Sequence, residues 1–378
     1  MSITNNLLAA AFADSSLFCG KEDVVHAIIY HQLVESGIPP QRIAREQALS
    51  GKRVDVVLYG QEVNGDFATT QHKPLVAIEV KGGAYGYRNA LKGEIDRTGY
   101  CKDMAKLKVE ATKGVECWFL CVDMPELGRA LSRLKVELVS ERCAAHGLSF
   151  AYHCQGESCF YVSRPRQKLA QVPVCKVAAA RNTGGAEFLL DRSAPRLSAL
   201  ARQCLAVNGH EANHTALLYD CLRNAGFGVA QLSLETYFSF AAQEGSRMQE
   251  RPDLVAFNAD FDGRFNLYKG GDMRQSNDTH KLAHIDTLFE VKGGAAMNKK
   301  SDKGVMQAYV DDIQKLWRWR DGAVAARKGT RVKTVFLGVD GRARGLPAES
   351  IAALVGESRK CGGGLIYLSR ERMEVVRP

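Results

Sequence analysis

The sequence Glu-Val-Lys-Gly-Gly occurs twice in this chain, at residues 79–83 and again at residues 290–294. Each copy ends an apolar run of the kind that forms a buried β-strand. Because successive side chains of a strand point to opposite faces, Glu and Lys emerge side by side, and the Val between them faces a core. A carboxylate and an ammonium displayed together at a strand end build a core poorly, but they can hold a metal ion and a phosphate.

The repeat is not confined to these five residues. Residues 22–37 align without a gap on residues 211–226, and Asp55 and Asp253 follow in the short motifs Arg-Val-Asp and Arg-Pro-Asp. The separation between the copies grows from 189 residues at the start of the repeat to 198 at Asp55 and 211 at the pentapeptide, so the second copy contains two insertions. A repeat of this length predicts one folded unit built twice.

The chain length supports two domains. A chain of 378 residues is long enough for two units that each bury a core. The stretch 171–196 mixes Pro, Gly, Ala and Arg without a helical or strand period, which predicts a linker. The predicted domains are then residues 1–170 and residues 197–378.

Charge and cysteine content are those of an ordinary globular chain. The net charge of +9 is compatible with a polyanionic partner without establishing one, because many proteins carry as much. No apolar stretch is long enough to cross a bilayer, and the N-terminus lacks the pattern of a secretory signal, so we expect no membrane partner and a cytoplasmic location. The eleven cysteines are scattered without a Cys-x-x-Cys pair, which favours reduced thiols.

Both copies show the same order of helix-forming and strand-forming segments. In the first copy, apolar residues at helical spacing predict a helix over 22–36, which Gly37 ends. The other segments predicted there are strands at 42–47, 54–59, 75–80, 116–122, 149–153 and 159–163 and helices at 100–109 and 127–146. In the second copy they are helices at 214–224, 305–320 and 348–360 and strands at 228–234, 254–258, 287–291, 333–339 and 364–368.

This order, with an aspartate on the strand before the Glu-x-Lys strand, resembles the PD-(D/E)XK nuclease superfamily, which includes the type II restriction endonucleases. The second copy carries the literal Pro-Asp and Glu-x-Lys signature, whereas the first has Val54 where the family often has Pro. Glu22 and Glu211 match the acidic residue that many members carry on their first helix. The resemblance implies an α/β chain, a tandem duplication of a restriction-endonuclease-like fold in which helices flank a mixed central sheet in each copy.

The resemblance implies a metal-dependent active site in each copy, with Mg²⁺ or alternatively Mn²⁺ as the ion. Hard divalent cations prefer the oxygen ligands that these positions offer. The implied catalytic residues are Asp55, Glu79, Lys81, Asp253, Glu290 and Lys292. The implied metal ligands are Glu22, Asp55, Glu79 and the Val80 carbonyl in the first site, and Glu211, Asp253, Glu290 and the Val291 carbonyl in the second. Each lysine would orient or deprotonate the attacking water and offset charge on the phosphate.

Polar and basic residues follow both Glu-x-Lys strands. Their donors can neutralise phosphates, although ordinary solvated loops have the same composition. The candidate nucleic-acid contacts are Tyr85, Tyr87, Arg88 and Lys92 after the first strand and Asn298, Lys299, Lys300 and Lys303 after the second. On the next predicted helix of each copy, Lys106 and Lys315 lie one turn after an aspartate. They either reach the site or form an exposed helical pair.

The resemblance therefore implies a divalent-metal-dependent endonuclease that hydrolyses phosphodiester bonds in double-stranded DNA. It would have two active sites per chain, one for each strand, and would serve restriction or anti-phage defence. Two alternatives remain open: a nucleic-acid-binding or assembly module with this fold and little catalysis, and a nuclease for RNA or branched DNA. Two complete sets of Asp, Glu and Lys favour the enzyme over the module, because a copy without catalysis is expected to have lost at least one of them.

Overall fold

The computed structural model describes residues 2–82, 100–124, 130–174, 180–236, 238–241, 247–265, 278–326 and 332–378. Within these ranges the chain forms two compact units. The first contains residues 2–64 and 69–174, and the second contains residues 65–68 and those from 180 onward. Of the predicted linker 171–196, residues 171–174 belong to the first unit and residues 180–196 to the second.

The first unit is a seven-stranded mixed sheet with helices. Its helices are α1 (Asn5–Ser15), α2 (Glu22–Glu35), α3 (Tyr100–Thr112) and α4 (Arg133–Ala145), with short 3₁₀ turns at Pro40–Arg42 and Gln61–Val63. Its strands are β1 (Ile43–Leu49), β2 (Lys52–Leu58), β3 (Val76–Gly82), β4 (Glu116–Asp123), β5 (Ser149–Cys154), β6 (Cys159–Ser163) and β7 (Ala170–Pro173). The strands lie in chain order across the sheet; β3, β4 and β5 are parallel, and the other neighbours are antiparallel.

The second unit contains a six-stranded mixed sheet, a two-stranded hairpin and helices. The helices are α5 (Pro195–Leu205), α6 (Ala212–Asn224), α7 (Asp278–His284), α8 (Ala295–Asn298), α9 (Asp302–Ala326) and α10 (Ala348–Lys360), with 3₁₀ turns at Glu187–Leu190 and Val229–Gln231. The strands are β8 (Leu232–Leu234), β9 (Phe238–Ala241), β10 (Arg247–Glu250), β11 (Leu254–Phe257), β12 (Ile285–Lys292), β13 (Lys333–Asp340), β14 (Gly364–Ser369) and β15 (Met373–Val376). The large sheet has the order β15-β14-β13-β12-β11-β8, and β9 pairs with β10.

The two large sheets have the same topology. Strands β8, β11, β12, β13, β14 and β15 repeat the order and the parallel or antiparallel pairing of β1 to β6. The α/β class, with a mixed sheet in each copy, is therefore confirmed. Its finer assignment as a restriction-endonuclease-like fold remains a prediction. Among the described residues, no helix combines the length and the apolar character that crossing a membrane requires.

The valines of the two Glu-x-Lys motifs are buried as expected, but the glutamates before them are buried as well. Val80 and Val291 are fully buried, and the strands beside them, β4 and β13, are buried along almost their whole length, as central parallel strands are. Helices α2 and α3 both pack on β3. Because β3 and β4 are parallel, their carboxyl ends meet at one edge of the sheet, and the helix residues packed there can share a site with the end of β3.

Candidate active sites

In the first unit, three elements bring the predicted site residues together. The backbone N–H of Val80 in β3 donates to Asp55 Oδ2 on β2, at 2.8 Å. From the start of α2, Glu22 accepts a bond from Lys81 Nζ at 3.2 Å and another from the N–H of Gly82 at 3.1 Å. Glu22 and Asp55 are therefore both fixed to the carboxyl end of β3, the strand that carries Glu79.

The second unit repeats these contacts atom for atom. Asp253, directly before β11, accepts a bond from the N–H of Val291 at 2.8 Å. Glu211, at the N-cap of α6, accepts a bond from Lys292 Nζ at 3.4 Å and another from the N–H of Gly293 at 3.4 Å. The aspartate, the helix glutamate and the lysine thus make the same contacts in both copies.

The first glycine after each lysine is required by close packing. A Cβ on Gly82 would lie 2.7 Å from the carbonyl oxygen of Val122 in β4. A Cβ on Gly293 would lie 2.9 Å from the carbonyl oxygen of Val339 in β13. A larger residue would push the adjacent parallel strand away, so the glycine lets the end of the active strand lie close to its neighbour.

The two strand glutamates are buried, and only one oxygen of each carboxylate has a hydrogen-bond partner among the described residues. Glu79 and Glu290 are each 2% exposed, and the Oε2 atom of each has no hydrogen-bond partner among the described residues. Burial, followed by the nearby negative charge of Asp55, raises the pKa of Glu79 to about 9. Burial, followed by the charge of Asp253, likewise raises the pKa of Glu290 well above its ordinary value. An unpartnered carboxylate oxygen in this setting fits a divalent cation, whose charge would compensate its burial.

A second lysine and a second aspartate complete each site. On α3, Lys106 Nζ donates to Glu79 Oε1 at 2.5 Å, and Asp103 Oδ2 lies 3.2 Å from Lys81 Nζ. Of the two interpretations left open for Lys106, the structure supports the one in which it reaches the site.

The corresponding residues of α9 make the same contacts in the second unit. Lys315 Nζ donates to Glu290 Oε1 at 2.5 Å, and Asp312 Oδ2 lies 3.2 Å from Lys292 Nζ. Each site therefore contains two lysines and four carboxylates, which are Glu22, Asp55, Glu79 and Asp103 in the first site and Glu211, Asp253, Glu290 and Asp312 in the second.

The lysines of the two signatures are held in the charged form. Burial lowers the pKa of Lys81, but Glu22, Asp55 and Asp103 outweigh burial and raise it above the ordinary value. The pKa of Lys292 is raised for the same reason. A protonated ammonium donates hydrogen bonds and cannot accept a proton, so the geometry favours water orientation and charge compensation over proton abstraction.

A histidine in the first site has no counterpart in the second copy. His26, one helical turn after Glu22, places Nε2 at 3.4 Å from Asp55 Oδ2 and 3.8 Å from Glu22 Oε1. The ligand atoms of these three residues all lie within 4.8 Å of one another. The matching residue of the second copy is Thr215, which cannot act in the same way. His26 was missed by the sequence analysis, although its spacing of four from Glu22 places both on one helix face.

The two aspartates differ in pKa. Burial raises the pKa of Asp55, but His26, Lys81 and the N–H of Val80 together outweigh burial and lower it well below the ordinary value. Among the described residues, no histidine takes this place beside Asp253. Burial and the charge of Glu211 raise the pKa of Asp253 to about 7. In the metal-free protein the environment of Asp55 therefore favours its ionised form, and the environment of Asp253 disfavours it.

The predicted backbone ligands are placed in part. Val80 and Val291 lie within β3 and β12, where their N–H groups are bound by the two aspartates. The role of their carbonyls as metal ligands remains a prediction.

The predicted nucleic-acid contacts are only partly described. Tyr85, Tyr87, Arg88 and Lys92 lie outside the described residues. The side chain of Asn298 bonds to Asn208 and to the N–H of Gly341, so it joins loops of its own unit. Exposed side chains are found at Lys299, Lys300 and Lys303, which leaves these three available to a polyanion.

Comparison with known proteins adds no assignment. No protein-family model matches the chain, and a search of curated proteins finds no match. The chemistry of the sites therefore has to be argued from their own geometry. Two buried sites with clustered carboxylates, unpartnered carboxylate oxygens and fixed ammonium groups can hold divalent cations and anionic oxygens.

Proposed function

We propose that this chain is a divalent-metal-dependent endonuclease that hydrolyses phosphodiester bonds in double-stranded DNA at two active sites. The observation that supports it best is the recurrence of one arrangement, in which a strand glutamate with an unpartnered oxygen lies in the same site as an aspartate, a lysine and a helix glutamate. The proposal agrees with the resemblance of both copies to the PD-(D/E)XK superfamily.

Phosphodiester hydrolysis requires compensation of negative charge on the phosphate and on the leaving oxygen. When bound by Glu22, Asp55 and Glu79, a Mg²⁺ ion would supply a Lewis acid and lower the pKa of a coordinated water. Glu211, Asp253 and Glu290 would hold the second ion. Mn²⁺ suits the same carboxylate ligands.

The protein's own groups have distinct tasks in this mechanism. Lys81 and Lys292 are charged donors at the strand end, where they orient water and stabilise the charge that develops on the phosphate. Asp103 and Asp312 hold these two ammonium groups in place from the neighbouring helix. His26 keeps Asp55 ionised, which maintains a ligand in the first site.

Incubation of supercoiled plasmid with the protein and Mg²⁺ tests the proposal. We expect nicked and linear products, and we expect EDTA to abolish them. A matched protein that carries both Asp55→Asn and Asp253→Asn keeps the side-chain shapes but loses two ligand charges, and its cleavage rate should fall at least about 100-fold.

The same assay separates the alternatives. Plasmid that remains supercoiled but is retarded in a gel would favour the nucleic-acid-binding module. Cleavage of single-stranded RNA or of a four-way DNA junction, with plasmid untouched, would favour a nuclease of another substrate class. Cleavage that persists in EDTA or in the double variant would contradict the proposed metal sites.

A further inference from the structure

The second lysine of the first site is held at a fixed position. Lys106 Nζ donates to Glu79 Oε1 at 2.5 Å and to the carbonyl oxygen of Arg53 at 2.6 Å, and it lies 3.4 Å from Asp103 Oδ1. The side chain is only 11% exposed. An ammonium with three donors and three close acceptors has no donor left for a substrate phosphate. Its role must therefore concern the groups it already contacts.

Glu79 is the group that this contact determines. One of its oxygens is tied to Lys106, and the other, Oε2, has no partner among the described residues. A buried carboxylate whose one oxygen is fixed cannot rotate freely, so the direction of the second oxygen is also fixed. The unpartnered Oε2 is the atom that remains available as a metal ligand.

In the second site the lysine makes the same contact with its glutamate, but different neighbours hold the lysine in place. Lys315 Nζ donates to Glu290 Oε1 at 2.5 Å, and Glu290 Oε2 has no partner among the described residues. Lys315 lies over the ring of Trp319, at 4.4 Å from its centre, and this cation–π contact fixes the ammonium. The two copies thus reach one geometry through unlike neighbours.

We propose that Lys106 and Lys315 are positioning residues, each of which holds one oxygen of its strand glutamate so that the other faces the metal ion. The proposal rests on the metal-binding part of the proposed function. The helix lysine of each copy would thus position a metal ligand, whereas the lysine of Glu-x-Lys would act on water and phosphate. Each site then uses one ammonium for its metal ligand and the other for water and phosphate.

The division of tasks follows from the contacts of Lys81. Its Nζ lies 3.2 Å from Glu22 and 3.2 Å from Asp103, but 3.9 Å from Glu79. Without Lys106, the Lys81 ammonium would be the nearest cation to Glu79 among the described residues. A shift of Lys81 toward Glu79 would weaken its contact with Glu22 and move it from the end of the strand. Lys106 prevents that exchange.

A competing interpretation predicts that the removal of Lys106 changes the metal affinity in the opposite direction. If Lys106 only neutralised Glu79 in the metal-free protein, it would repel an incoming cation, and its removal would strengthen metal binding. If it positions Glu79, its removal leaves a buried carboxylate with neither a donor nor a fixed direction, and metal binding weakens. Outer-shell partners of metal ligands typically contribute a factor of 10 to 100 in affinity. The direction of the change therefore decides between the two.

Titration with Mn²⁺, followed by the loss of the free-ion electron paramagnetic resonance signal, measures this change without any substrate. The protein should carry Asp253→Asn, so that the first site dominates the signal. Adding Lys106→Met should weaken Mn²⁺ binding by about 10-fold or more. Adding Lys106→Arg instead, which restores a charged donor, should recover most of the affinity. Lys315→Met in an Asp55→Asn protein is the matched test in the other copy and remains informative if the first variant fails to fold.

Unchanged or tighter binding in both Lys→Met proteins would overturn the positioning role. Loss of affinity that Lys106→Arg does not recover would also overturn it, because the effect would then come from disturbed packing. The two parent proteins, one with Asp253→Asn and one with Asp55→Asn, should each bind Mn²⁺, and combining the two changes should remove that binding. If it does not, the metal sites themselves are wrong, and the proposed function fails together with this inference.

Discussion

Under the proposed endonuclease function, replacing either Lys81 or Lys292 by alanine should change the product from linear plasmid to nicked plasmid. Each lysine is fixed in its own site by a glutamate and an aspartate of the same unit. The loss of one ammonium removes charge compensation in that site, which costs about 100-fold or more in rate, and leaves the contacts of the other site intact. The double replacement should leave supercoiled plasmid uncut.

This expectation depends on a division of labour between the copies. A DNA duplex offers two scissile phosphates related by two-fold symmetry. Many restriction endonucleases cleave them with two identical subunits, one for each strand. A duplicated chain supplies two such sites without a second subunit. Gel separation of supercoiled, nicked and linear plasmid measures the outcome. Lys360→Ala, at a side chain that is 74% exposed, is the matched control and should cut like the unaltered protein. If either single active-site change abolishes nicking as well, the sites are not independent.

Addition of Mg²⁺ should raise the unfolding temperature, and the increase should grow between about pH 5 and pH 9. In the metal-free protein, burial raises the pKa of Glu79 to about 9 and that of Asp253 to about 7. A carboxyl group with a raised folded-state pKa contributes stability at low pH, and this contribution is lost as the pH rises through that pKa. A bound cation compensates the ionised groups and so acts most strongly where the metal-free fold is weakest.

The expected size follows from mass action. At a free ion concentration 100 times the dissociation constant, each occupied site stabilises the fold by about 2.7 kcal/mol. Thermal unfolding at a series of pH values, with Mg²⁺ or with EDTA, measures the effect. A protein with both Asp55→Asn and Asp253→Asn should lose most of the shift. An equal shift in that protein, or a shift that falls as the pH rises, would contradict the account.

The sequence predicted the order of most elements because strand and helix periods are local. The two Glu-x-Lys strands, the helices that begin near Glu22 and Glu211 and the central parallel strands were all predicted within a few residues. By contrast, β7 lies in the predicted linker. Its residues are mostly exposed, so they lack the alternation that marks a half-buried strand. The β9–β10 hairpin lies between Glu235 and Asp253, the segment that contains the first insertion of the second copy, so comparison of the copies did not predict it.

The sites were predictable where a residue is fixed by its own strand and less so where it depends on packing. Asp55 and Glu79 were found because a motif and an alternation period place them. Lys106 remained ambiguous because the rotation of α3 about its axis is set by tertiary contacts that no local pattern contains. His26 was missed since it is absent from the second copy, and the comparison of the copies emphasised what they share.

The number of Mn²⁺ ions bound per chain tests most directly the central claim that one divalent-metal site has been built twice. Equilibrium binding should show that Mn²⁺ binds independently in the two copies of the unaltered protein. Asp55→Asn should remove the binding in the first copy, and Asp253→Asn should remove it in the second. The protein with both changes should bind no ion at the same concentrations. The account would be contradicted if the unaltered protein binds no Mn²⁺, or if the double variant binds as many ions with the same affinity.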